Sequence, residues 1–192
     1  MGQVGFHPSP LTLHASHFSW RRKMEQEIAL LRETELFRDL TGEQIGEILS
    51  ISRKISFSED EVIMREGEEG DTMYIILEGT VEVVKSLVKG DPDEEEDKKN
   101  KVFTRLDASV HAVFGEIALL ETMKRTATIK TVTKCRLYEI KRSDFMRLAD
   151  ADHELGYRIL LNLARIVSAR LRKADEDTIK LTTALSIILR ES

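Results

Sequence analysis

The chain has 192 residues, 41% of them hydrophobic and 33% charged, with a formal net charge of −5. That is enough apolar material for one domain, alone or with a long helical appendage, and the acidic balance disfavours a general nucleic-acid binder, which carries a basic surplus. One cysteine, Cys135, excludes an intrachain disulfide and reads as a buried thiol in a reducing compartment, and no apolar run reaches the ~18 residues of a membrane span, so a soluble cytoplasmic protein is expected.

Residues 1–18 carry Pro8, Pro10 and three of the five histidines with little periodicity, and are read as a disordered tail. The start lacks a signal peptide's layout, and Phe6 breaks the Met-Gly myristoylation pattern. His14 and His17 have no third ligand beside them and make a poor metal site. From Trp20 to Arg32 the spacing of Met24, Ile28 and Leu31 predicts a helix. A second helix follows in "DLTGEQIGEIL", where Thr41 as N-cap and Gln44 three residues on form a capping box.

The texture then changes. "KISFSEDEVIMREGEEGDTMYIILEGTVEVVKS" is dense in β-branched and aromatic residues broken by Gly67, Gly70 and Gly79. "TMYIILEGTVEVVK" predicts two strands joined by a tight turn at Glu78-Gly79. Six acids between Asp91 and Asp97 read as a solvated loop. A strand over Phe103–Leu106 and two more in "TATIKTVTKCRLYEIKRSDF" follow, and Ser143 or Asp144 starts a further helix. Short strands separated by turns about every 8–12 residues predict an antiparallel barrel or sandwich of about eight strands. From Asp152 onward the chain reads as continuous helix. Val167, Leu171, Ala174, Thr178, Leu181, Leu185 and Ile188 alternate four and three apart, a heptad seam that predicts a parallel coiled-coil dimer. The expected division is a tail over 1–18, a β domain with N-terminal helices over 19–150, and a long helix over 151–192 that dimerises and acts as a lid.

Between the strands lies "FGEIALLETMKRTATI", Phe114 to Ile129, with an acid, Glu116, directly after Gly115 and one guanidinium, Arg125, in a mostly apolar setting. Arg125 keeps its proton and presents a planar fork that fits phosphate. Spacing alone leaves two readings open, an internal Glu116–Arg125 salt bridge or a ligand site. Gly115 favours the second. A glycine at the start of a short helix lets backbone N–H groups approach an anion closely. A carboxylate at the edge of such a cradle suits a sugar hydroxyl, and one arginine suits one phosphate charge; there is no GxxxxGK[ST] loop for a triphosphate.

This segment closely resembles the phosphate-binding cassette of cyclic nucleotide-binding domains, F-G-E-[LIM]-A-L, a spacer, then R-[TSA]-A-T. "GEEGDTMYIILEGTVEV" resembles the same family's strand-turn-strand signature, and the resemblance covers about residues 30–175. It implies an eight-stranded antiparallel jelly-roll barrel with flanking helices, mainly β in class, that binds cAMP or cGMP and is not an enzyme. Phe114, Gly115, Glu116, Ile117, Ala118, Arg125, Thr126 and Ala127 would bind the nucleotide. Glu116 would accept the ribose 2′-hydroxyl, Arg125 would pair with the cyclic phosphate, and the amides of Gly115, Ala118 and Thr126 would donate to it. Thr126 leaves cGMP open, since Ala is common there in strict cAMP sites. Arg170, Ala174 and Asp175 lie about where family members contact the base. "LDASVHAV" before Phe114 lacks the family's usual glycine-rich turn, and His111 in it could reach the pocket mouth.

The module would signal through its last helix to a dimer mate or an effector protein of unknown identity. A catabolite-activator-type transcription regulator is the alternative, and would need a helix-turn-helix after that helix. A jelly-roll interaction domain with a non-functional pocket is another. A cupin-like metal enzyme is disfavoured, because the barrel region holds only His111.

Overall fold

A computed structural model describes residue 22 and residues 24–86, 100–108, 112–121 and 123–190. The tail at 1–18, the acidic loop at 91–97 and His111 lie outside the described residues.

Helix α1 covers 24–32 and α2 covers Gly42–Ser50. The capping box predicted for α2 is present. Gln44 N–H donates to Thr41 Oγ1 at 3.2 Å, and Thr41 N–H donates to Gln44 Oε1 at 3.1 Å. Ten strands follow among the described residues: β1 Arg53–Phe57, β2 Val62–Met64, β3 Glu69–Gly70, β4 Thr72–Glu78, β5 Thr80–Ser86, β6 Asn100–Asp107, β7 Val113–Phe114, β8 Met123–Lys124, β9 Thr128–Thr131 and β10 Cys135–Lys141. A one-turn helix, α3 (Ile117–Leu120), sits between β7 and β8. Helices α4 (Arg142–Ala151) and α5 (His153–Arg190) end the described chain.

Eight of the strands form two antiparallel sheets, β1-β10-β4-β7 and β2-β9-β5-β6, while β3 and β8 pair separately. This is the expected jelly-roll class, with one difference: the sheets face each other without closing into one hydrogen-bonded barrel. The tight turn expected at Glu78-Gly79 also takes another form. β4 pairs with β10 and β7, whereas β5 pairs with β6 and β9, so Gly79 carries the chain across from one sheet to the other. Its φ is +90°, and a Cβ there would lie 2.4 Å from the Lys134 carbonyl and 2.7 Å from Cys135 Sγ. Only glycine fits both constraints.

The core has two parts. Met64, Ile76, Val81, Phe114, Ile129 and Leu137 fill the space between the sheets. Leu31, Phe37, Ile45, Met73, Ile75, Ile140, Phe145, Ile159 and Leu163 join the helices to the outer face of the first sheet. β4 is covered on both faces, so it reads Met73, Tyr74, Ile75, Ile76 without polar alternation, all buried. At fully buried positions such as Ile75 and Leu163, each side chain contributes roughly 1.5–3 kcal/mol.

Helix α5 is pinned by a buried amide: Asn162 Nδ2 donates to the carbonyls of Leu36 at 2.9 Å and Arg38 at 2.8 Å. On the opposite flank Glu27 of α1 accepts from Tyr138 Oη at 2.7 Å and from Lys54 Nζ at 2.7 Å. Burial, with the Glu27 carboxylate adding to it, holds the Tyr138 phenol above its ordinary value. No helix among the described residues is long and apolar enough to cross a membrane, and no group of three or more metal-ligating side chains occurs among them.

Candidate ligand-binding site

β7 delivers the segment read as a cassette. Phe114 pairs with Tyr74 on β4, and the two rings stack with centroids 5.0 Å apart. Gly115 follows with φ +71°; a Cβ here would stand 2.8 Å from the Thr72 carbonyl and 2.9 Å from Arg125 Nη1. The glycine therefore supplies a left-handed turn and room for the guanidinium at once. Helix α3 then buries Ala118 and Leu119. At four residues it is too short to support an anion by its dipole, so positive charge at the site rests on side chains. The Ala118 N–H, expected to face a phosphate, donates to the Gly115 carbonyl at 3.1 Å.

The small β3–β8 ladder positions Arg125. Its N–H donates to the Glu68 carbonyl at 2.7 Å, and its carbonyl accepts from Gly67 N–H at 2.9 Å. Arg125 Nη1 donates to the Thr72 carbonyl and Nη2 to Thr72 Oγ1, both at 2.7 Å. The guanidinium lies on the backbone of Gly70, where a Cβ would be 2.1 Å from Nε. Arg125 is only 9% exposed, and no carboxylate among the described residues forms an ion pair with it. A buried cation satisfied only by neutral acceptors carries a large desolvation cost.

Glu116 has a different partner. Its Oε1 lies 2.7 Å from Arg170 Nη1 on α5, and Arg170 Nη2 donates to the Val113 carbonyl at 2.5 Å. Of the two readings left open by spacing, the internal Glu116–Arg125 bridge is absent here. Each end of the cassette is tied to something outside it: Arg125 to β4, Glu116 to α5.

Between cassette and α5 lies a cavity of about 470 Å³. Apolar Met64, Val83, Leu106 and Ile129 form its floor, and Phe114–Ala118 with Arg125, Thr126 and Ala127 form one wall. Thr126 is exposed and Ala127 buried. The α5 wall is Arg170, Lys173, Ala174, Asp177, Thr178 and Leu181, the i, i+3, i+4 face of one helix. Asp175, expected near the base, falls off that face, is exposed, and does not line the cavity. Ala174 lines the cavity, and Arg170 reaches Glu116 at its edge. Sequence reasoning missed Gly70, Thr72, Lys173 and Asp177. Gly70 carried a signal, a second glycine in "GEEGD"; Thr72 carried none.

A family model described as "Cyclic nucleotide-binding domain" matches residues 54–152. A cAMP-dependent protein kinase regulatory subunit from Dictyostelium discoideum is 32% identical over 128 residues, 67% of this chain and 36% of that protein. An isozyme 2 cGMP-dependent protein kinase from Drosophila melanogaster is 28% identical over 127 residues, 66% of this chain and 10% of that protein. The chain thus spans a minor part of either relative. In architecture it is similar to a crystal structure of a cyclic nucleotide-binding domain from Methylobacillus flagellatus, with TM-score 0.67, 22% identity, and coverage of 81% of this chain and 82% of that one.

Proposed function

The chain belongs to the cyclic nucleotide-binding domain family, and on that premise we propose that it is a regulatory module that binds cAMP or cGMP between the cassette and α5 and relays binding through α5. The observation that carries this reading is Arg125: a buried guanidinium with no carboxylate partner among the described residues, at the wall of a largely apolar cavity, next to a glycine that keeps the backbone clear. Such a charge gains most from a phosphate with a single negative charge. Phe114, Gly115, Ile117, Ala118 and Ala127 shape the cradle around it, and Glu116 addresses the ribose 2′-hydroxyl. The amides of Gly115 and Thr126 donate to the phosphate, and Ala118 joins them if its bond to Gly115 opens. Ala174, with Lys173, Asp177 and Thr178, covers the base, and the Thr126 hydroxyl keeps guanine as open as adenine.

The relay follows from the Glu116–Arg170 pair. A ribose hydroxyl on Glu116 competes with, or shares, the carboxylate that α5 uses as an anchor. The ligand therefore has a differential interaction with two positions of α5, which is what any conformational relay requires. Hydrogen exchange over 168–188 should change on ligand addition, and unchanged protection would sink the relay. The partner proposed for the exposed seam of α5 is a second copy of this chain, in the cytoplasm.

Isothermal titration with cAMP and with cGMP tests the binding itself. Heat with at least one nucleotide, and a thermal shift that grows with its concentration, are expected; at 100 times Kd the stabilisation is about 2.7 kcal/mol. No heat and no shift at millimolar ligand rejects the proposal.

A further inference from the structure

One row of residues crosses the first sheet from edge to edge. Arg53 stands opposite Glu139, Glu139 opposite Tyr74, and Tyr74 opposite Phe114. Paired residues project from the same face, so the four side chains lie in line, and Thr72, two residues from Tyr74, shares their face.

A hydrogen-bond chain starts at Arg125 and follows this row outward. Arg125 Nη2 donates to Thr72 Oγ1 at 2.7 Å. Thr72 Oγ1 donates to Tyr74 Oη at 3.0 Å, and Tyr74 Oη donates to Glu139 Oε1 at 3.4 Å. Glu139 Oε2 accepts from Arg53 Nε at 2.9 Å. The polarity is fixed by chemistry, because a guanidinium only donates and an ionised carboxylate only accepts. Each hydroxyl therefore accepts once and donates once. The middle of the chain is shielded: Thr72 is 8% and Tyr74 7% exposed. Burial, the dominant influence, holds the Tyr74 phenol above its ordinary value, so it remains a donor at neutral pH.

The geometry constrains Arg125 in steps. The Thr72 carbonyl and hydroxyl take one donor from each terminal nitrogen and so set the plane of the fork. The Thr72 rotamer is set by Tyr74. Tyr74 is held by Glu139 at one end and by its stack on Phe114 at the ring. We propose that Thr72 and Tyr74 are positioning residues for Arg125, holding its guanidinium at the phosphate subsite with Glu139 as a remote counter-charge. This rests on the phosphate-binding reading of Arg125.

Titrating cAMP and cGMP into the wild-type chain, Thr72→Val, Thr72→Ser, Tyr74→Phe and the Thr72→Val/Tyr74→Phe double variant tests it. Loss of a hydrogen bond to a charged group predicts that Thr72→Val weakens binding about tenfold or more. Thr72→Ser should restore affinity, and Tyr74→Phe should weaken it by less than Thr72→Val. Because Tyr74 acts through Thr72, the double variant should be no weaker than Thr72→Val alone, a coupling that a general loss of packing does not produce. The inference is overturned if Thr72→Val binds like the wild type, if Thr72→Ser fails to rescue, or if the two losses simply multiply. Wild-type chain that binds neither nucleotide removes the phosphate reading and this inference with it. Wild-type binding with an unaffected Thr72→Val removes the inference alone.

Discussion

A methyl group at position 70 would occupy the volume of the Arg125 guanidinium, with Cβ 2.1 Å from Nε and 2.4 Å from Cζ. The obstructing atoms are the far end of a flexible side chain, so the fold can give way cheaply while the fork loses its position. Gly70→Ala is therefore expected to weaken nucleotide binding severalfold with little change in melting temperature, as read by paired calorimetry and thermal unfolding. Arg125→Met goes further: it should lower affinity about 30-fold or more, the cost of removing one partner of a buried charge contact. The ligand-free melting temperature should fall little, because an uncompensated buried cation leaves with the side chain. A large fall in stability would instead mark Arg125 as mainly structural. At this scale Gly115, Glu116 and Arg125 were legible in the sequence because their chemistry is unusual in an apolar segment. Their partners were not. Thr72 lies 53 residues from Arg125, and Arg170 meets Glu116 only because α5 passes over the cassette.

Two contacts fix where α5 begins and how it sits. Asp152 Oδ1 accepts from the Leu155 N–H at 3.0 Å, which holds its carboxyl below its ordinary value of 3.8, with Gln44 adding to the effect and burial opposing it. A lowered pKa means that the unfolded chain binds the proton more readily. The stabilisation is thus present above the unfolded value near pH 4 and is lost as pH falls through the lower folded one. Asp152→Asn keeps a capping oxygen but removes this titration. Its melting temperature should lie below the wild type at pH 7, decline less steeply toward pH 3, and so approach the wild-type value in acid. Asn162→Ala strips the carbonyls of Leu36 and Arg38 of their buried donor and should cost about 2–4 kcal/mol in chemical unfolding. The elements themselves were largely readable: the Thr41–Gln44 capping box, the continuous apolar run of β4, the unbroken last helix. The path at Gly79 was not. A glycine turn signals a change of direction, while the sheet that the next strand joins is decided by contacts with β6 and β9 far along the chain.

For the molecule as a whole, the open question is what covers the outer half of α5. Leu171, Leu181, Leu185 and Ile188 are all more than half exposed, as are Ile187 and Leu189. Exposed apolar residues in such a continuous row mark a surface for association. The proposed second copy predicts a dimer mass by light scattering at tens of micromolar, and Leu181→Glu/Leu185→Glu should return the monomer. A monomeric wild type over that range would reject the coiled-coil assignment. The heptad spacing behind this prediction was plain in the sequence. The overlap of Ala174, Thr178 and Leu181 with the cavity wall was not, since it depends on the angle at which α5 leaves the domain.

That angle has a mechanical consequence. The buried face of α5 ends at Ile166 and its bonds to Glu116 and Val113 at Arg170, and the helix continues to Arg190 as a single rod. At about 1.5 Å per residue the arm beyond Arg170 is ~30 Å long, so a pivot of ~10° at its base sweeps the tip through ~5 Å. A displacement too small to disturb the Asn162 anchor is thereby magnified into a movement on the scale of a whole side chain.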